Sequence, residues 1–199
     1  MRNLILTTAA VAAAICLAGC SKKALVSFTD GRDGQKYKTV KIGQQTWMAK
    51  NLNYQTDGGS WCYEDKANNC KKYGRLYDWK TATTVCPKGW KLPSRENWDK
   101  LVATAGGFEI AGKKLKSKSG WKNRNDWSTV NGTDNYGFSA LPGGDRRSDG
   151  YFGNVGNFGY WWTATEYDAY YRHMYYDDDA VYEGNSDKSY GFSVRCVKE

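Results

Sequence analysis

Hydrophobic and polar positions alternate most clearly at the start and the end of the chain. Tyr37 to Ile42 reads as a strand, and Gly43-Gln44-Gln45 turns it into a second short strand, Thr46 to Ala49. Asn53 to Lys72 is polar and carries Gly58-Gly59, which predicts a loop. Leu76, Trp79, Ala82 and Thr83 recur at helical spacing and predict a helix over 76–85, ended by Cys86-Pro87. The clearest helix begins at Ser94, a capping residue after Pro93, with Glu96 in its first turn. Its apolar side is Trp98, Leu101, Val102 and Ala105, and Gly106-Gly107 closes it. A shorter helix is expected over 109–115, followed by an irregular stretch to 137. Strands are then expected over 138–141, 159–166, 170–177, 180–183 and 190–198. Helices early and strands late predict an α+β domain: two short helices, an irregular antiparallel sheet and many loops.

The amino terminus follows a different pattern. A short positive start, Met1-Arg2-Asn3, precedes an uncharged run from Leu4 to Leu17, with Ala18 and Gly19 before Cys20. That is the layout of a secretory signal peptide over residues 1–19. The run is shorter than the roughly 20 residues that span a bilayer. Leu17-Ala18-Gly19-Cys20 resembles the bacterial lipobox, and the resemblance implies an acylated Cys20 after cleavage before it. Several buried acyl chains, at about 0.8 kcal/mol per CH2, make a firm anchor. The expected layout is therefore a leader over 1–19, an acylated cysteine and short tether over 20–29, and one domain over 30–199. The expected location is the bacterial cell envelope, anchored by lipid at the outer membrane.

Composition narrows the function. Of the net charge of +8, only Arg2 leaves with the leader, and the remaining lysines are spread along the chain. An exported protein with dispersed charge is not expected to bind nucleic acid. The chain holds 9 Trp and 15 Tyr against 6 Phe, side chains that combine an apolar body with a polar tip. Cys62, Cys70, Cys86 and Cys196 remain once Cys16 and Cys20 are set aside. An even number in an exported chain favours disulfides. Three pairings exist, and the favoured one joins Cys62 to Cys70 across a short loop and Cys86 to Cys196 across a long one. No metal site is expected, since there is no CxxC pair and His173 is the single histidine.

Several blocks carry a family resemblance. Asp30 to Gly43 with Gln45 to Tyr54, Tyr73-Gly74-Arg75-Leu76-Tyr77, and Cys86 to Ser94 form the first half. Gly137 to Gly144, Tyr160 to Glu166, and Tyr190 to Lys198 form the second. Together they resemble the Fibrobacter succinogenes major paralogous domain from Asp30 to Glu199. The resemblance implies an exported, often lipid-anchored protein. It also implies a fold similar to the C-type lectin and formylglycine-generating-enzyme group, with a long disulfide from the first helix region to the last strand. Cys86 and Cys196 fit that role.

Candidate chemistry follows from these residues. His173 stands beside Arg172 without an evident free nucleophile, so no enzyme activity and no cofactor are expected. Asp177-Asp178-Asp179 could offer oxygens to calcium, but lacks EF-hand order and reads as an acidic turn. Aromatic display is the remaining possibility. Successive strand residues point to opposite faces, so Trp161-Trp162 and the tyrosine pairs should each place one ring inside and one outside. Tyr171 and Tyr175 share a face and form the expected exposed pair. With Trp161 they would stack on a sugar, and Asp145, Arg146, Asn154 and Asn157 would supply polar contacts from loops. The function expected is a non-catalytic module that binds polysaccharide or another envelope component. The competing expectation is a structural surface protein with no small ligand.

Overall fold

The computed structural model describes residues 26–122, 131–165 and 169–198. The leader, Cys20 and most of the tether lie outside the described residues. None of the described helices is long and apolar enough to cross a membrane.

The first sheet has four strands, ordered β1 (Val26–Thr29), β2 (Lys36–Ile42), β3 (Gln45–Met48) and β12 (Val197–Lys198). The alternation read in β2 is real: Tyr37, Thr39 and Ile42 are buried while Lys36, Lys38 and Lys41 are exposed. Gly43, at φ 60°, makes the turn that sets Val40 opposite Trp47. Val26–Thr29 was expected as tether, yet it pairs with β2 in full register. Its four residues are too few for alternation to stand out beside Lys22 and Lys23.

The second sheet has six strands: β4 (Ser60–Trp61), β5 (Leu76–Tyr77), β8 (Phe158–Trp162), β9 (Tyr170–Tyr175), β10 (Tyr182–Asn185) and β11 (Phe192–Ser193). Their order is β10-β9-β8-β11-β5-β4. A small pair, β6 (Asp145–Arg146) with β7 (Phe152–Gly153), stands beside it. The pairing is antiparallel except between β8 and β11, which run parallel. The expected strand over 190–198 is thus two strands in two sheets. The chain crosses between the sheets at Val194–Cys196, where Arg195 is buried and Cys196 is bonded to Cys86.

Four α-helices are present among the described residues, not two: α1 (Ala67–Tyr73), α2 (Trp79–Ala82), α3 (Arg95–Thr104) and α4 (Phe108–Leu115). Helix α3 begins as the sequence predicts. Ser94 Oγ accepts from the Asn97 N–H at 3.2 Å, and Asn97 Oδ1 accepts from the Ser94 N–H at 3.0 Å. The helix expected over 76–85 is a strand followed by one turn of helix. Asp78 intervenes as the cap and accepts from the Thr81 N–H at 2.7 Å. The stretch 138–141 is no strand either. Ser139 sits at φ 52°, held by Asp134, whose Oδ1 accepts from the Ser139 N–H at 2.7 Å.

The core explains why Trp161 and Trp162 are both fully buried, against the expectation of one ring in and one out. The six-stranded sheet is covered on both faces where β8 passes through it. Trp161 meets Trp98 at 6.0 Å on the side of α3, while Trp162 meets Phe192 at 4.3 Å on the side of Tyr77 and α2. Burying such a ring contributes on the order of 5 kcal/mol before entropy is counted. Each indole N–H is also satisfied: Trp161 donates to Asn51 Oδ1 at 2.9 Å, and Trp162 to the Tyr77 carbonyl at 2.7 Å. Asn51 Oδ1 also accepts from Arg195 Nε at 3.0 Å and Nη2 at 2.7 Å. Arg195 donates further to the Met48 and Phe138 carbonyls, so its charge is dispersed over oxygens of three residues from two segments. Burial pushes the pKa of this guanidinium down to about 9, still charged at neutral pH.

Candidate functional site

Aromatic residues of the six-stranded sheet gather on the face opposite α3. Strand β8 contributes Phe158 and Tyr160, β9 contributes Tyr171, His173 and Tyr175, and β10 contributes Tyr182. Register explains the assembly: Phe158 lies opposite Tyr175, Tyr160 opposite His173, and His173 opposite Tyr182. Phe158 stacks on Tyr175 at 4.4 Å and on Tyr160 at 5.3 Å, and Tyr160 stacks on Phe192 at 4.9 Å. His173 stacks on Tyr182 at 5.2 Å. All six strand residues are half-buried, in contrast to Trp162 and Phe192 on the same face. The face is therefore covered at its Trp162 end and half-open over these six rings.

Electrostatics sharpen this face. Burial pulls the His173 pKa down to about 4, so the ring is neutral at neutral pH. Its Nδ1 has no hydrogen-bond partner among the described residues. Burial raises the phenols of Tyr160 and Tyr171, and the negative charge of Asp145 raises both further. Asp145 is itself buried, which raises its carboxyl, and Asn154 Nδ2 donates to its Oδ1 at 2.7 Å.

The residues expected from sequence divide accordingly. Tyr171 and Tyr175 do share a half-open face, and Asp145 with Asn154 lies close enough to influence Tyr160 and Tyr171. Trp161 does not belong to the face, because its ring fills the opposite core. Arg146 turns away as well: its guanidinium lies 4.2 Å over the Trp61 ring, and its backbone pairs with Gly191. Asn157 is half-buried, and its carbonyl accepts from the Tyr176 N–H at 2.8 Å. Phe158, Tyr160 and His173 were missed as members. The parity of positions 158, 160 and 162 held the signal, but it marks a shared face without saying which face is open.

Cys62 is bonded to Cys70 and Cys86 to Cys196. The acidic turn is occupied internally. Asp178 accepts from the Ala180 N–H at 2.6 Å and from the Tyr182 hydroxyl at 2.7 Å, and Asp179 pairs with Lys113 at 3.2 Å. Lys116, almost wholly buried, donates to the Tyr175 and Asp178 carbonyls and ties the end of α4 to this turn.

Fold and site together define a disulfide-stapled α+β domain with a half-open aromatic sheet face. The sequence model of the Fibrobacter succinogenes major domain matches residues 40–198, and the chain belongs to that family. No curated protein and no solved structure matches the chain.

Proposed function

We propose that this protein is a lipid-anchored, non-catalytic module of the bacterial envelope that binds polysaccharide or another envelope polymer on its aromatic face. One observation carries the reading: six half-buried aromatic and imidazole rings line one face of β8, β9 and β10, with the Asp145–Asn154 pair nearby. Sugar rings present apolar C–H faces that stack on such rings, while their hydroxyls need polar partners. A C-type-lectin-like architecture is part of the same proposal, and the long Cys86–Cys196 bridge from the α2 region to the last crossing supports it. The non-catalytic reading is supported by the cysteines at 62, 70, 86 and 196, each committed to a bridge and so lost as a thiol nucleophile.

The test is retention of the protein on insoluble polysaccharides and a glycan panel. Tyr171 packs against Trp162 and Phe192, so truncation to Ala would disturb the core. The variants Tyr171→Leu and Tyr175→Leu keep apolar volume and remove the flat ring. Retention should fall at least tenfold in the double variant while near-UV circular dichroism shows native packing. A wild-type chain retained by no glycan would favour the structural surface protein instead.

A further inference from the structure

On a different surface, two adjoining cavities of about 210 and 310 Å3 share Gln35, Asn53, Cys70 and Lys71 in their walls. They form one cleft between the 50–55 segment and α1, and the Cys62–Cys70 bridge builds one side of it. Its size suits a short saccharide segment rather than a large cofactor.

The charge in this cleft is one-sided. Lys50, Lys71, Lys72 and Arg75 line it, against one carboxylate, Asp33. Asp33 is engaged by Gln35, whose backbone N–H and Nε2 donate to its two oxygens at 3.0 and 2.6 Å. Lys50 lies 4.7 Å over the Tyr37 ring, and burial lowers its pKa. Two buried polar atoms of lining residues have no partner among the described residues: Arg75 Nε, a donor, and Asn53 Oδ1, an acceptor. The rest of both side chains is fixed, since Arg75 Nη2 donates to Gln55 Oε1 at 2.6 Å and Asn53 Nδ2 to Gln35 Oε1 at 3.2 Å. The backbone is fixed as well. Gly74 sits at φ 79°, and a Cβ there would lie 2.7 Å from the Leu52 carbonyl oxygen, so this glycine sets where Arg75 enters the wall.

The wall sets cationic side chains beside the amides of Gln35, Asn53 and Gln55, and such a wall suits a ligand that offers both an anion and hydroxyls. A neutral sugar offers hydroxyls but no charge. An inorganic anion offers charge but few donors. We infer that the cleft binds a carboxylated sugar, a uronic acid residue, with its carboxylate toward Arg75 and Lys71 and its hydroxyls toward the Gln35 and Asn53 side of the wall. Arginine matches a carboxylate's two oxygens geometrically, and the surrounding lysines add long-range attraction. The site is separate from the aromatic face, and neither depends on the other.

The test is calorimetric titration of the full chain with trigalacturonate and with its fully methyl-esterified form, which has the same rings without the charges. The acid should bind at least tenfold tighter than the ester, and its affinity should fall as salt rises from about 50 to about 300 mM, roughly a sixfold rise in ionic strength. Arg75→Gln should weaken the acid at least tenfold. Lys71→Gln changes an exposed position on α1, leaves the fold intact and should weaken the acid several-fold. Equal binding of acid and ester, no binding of the acid, or unchanged affinity in both variants would overturn the assignment. Loss of neutral-polysaccharide retention in the Tyr171→Leu, Tyr175→Leu variant, with uronide binding kept, would separate the two sites.

Discussion

His173 shows how a residue's neighbours decide its charge. Sequence offers a lone histidine in a strand, and the structure surrounds it with Phe158, Tyr160, Tyr171 and Tyr182, all within 6.1 Å. Its pKa is lowered from 6.5 to about 4 by burial. The unfolded chain therefore takes up this proton at a higher pH than the folded one. The His173 contribution to stability is complete above pH 6.5 and is lost as the pH falls toward 4. The loss is on the order of 3 kcal/mol. His173→Phe should flatten that part of the acid limb, as measured by urea unfolding between pH 7 and pH 4, a window of about 3 units. An unchanged pH slope in the variant would place the acid sensitivity elsewhere. At this scale the sequence told which side chains share a face, because parity is local. It did not tell that both Trp161 and Trp162 are core, because that depends on what lies across each face.

Elements were legible in proportion to how local their signals are. Helix α3 carries its cap, its apolar spacing and its closing glycines within a dozen or so residues, and it was read nearly to its ends. Leu76 carries equally helical spacing with Trp79, Ala82 and Thr83, yet Leu76 and Tyr77 pair with Trp61 and Phe192, partners no local pattern reveals. Helix α1 hid in a polar segment, because its buried positions are Cys70 and Tyr73 rather than aliphatics. The two bridges act on elements of different reach. Cys62–Cys70 spans 8 residues and holds α1 against the preceding turn, whereas Cys86–Cys196 spans 110. In the chain-entropy account the short loop is worth about 2–3 kcal/mol and the long one about 4–5. Replacing each pair by Ser should lower stability in that order, read from denaturant midpoints. A larger loss from the short bridge would show that it supports α1 and β4 well beyond closing its loop. Weakened uronide binding in Cys62→Ser, Cys70→Ser would further place the bridge in the wall of the cleft.

For the whole molecule, the proposed anchor and the fold meet at β1. The tether from Cys20 to Val26 reaches at most about 20 Å, so an acylated protein would hold its four-stranded sheet close to the bilayer. Labelled palmitate should enter the wild-type chain and not Cys20→Ser, and the variant should move from membrane to soluble fractions. Equal membrane retention of both would end the lipoprotein proposal. The same sheet sets the order of events during synthesis. Its strand β12 pairs with β3 from the far end of the sequence, register Val197 with Trp47, and Cys196 reaches back to Cys86. Under the proposed export, a chain threaded unfolded across a membrane would not complete this sheet until β12 had emerged, which would leave it pliant until then. Cys62 and Cys70 can meet early, while Cys86 must wait as a thiol for a partner that arrives last. Early closure of the small ring removes the two thiols that Cys86 could otherwise capture, so the local bridge protects the distant one from mispairing.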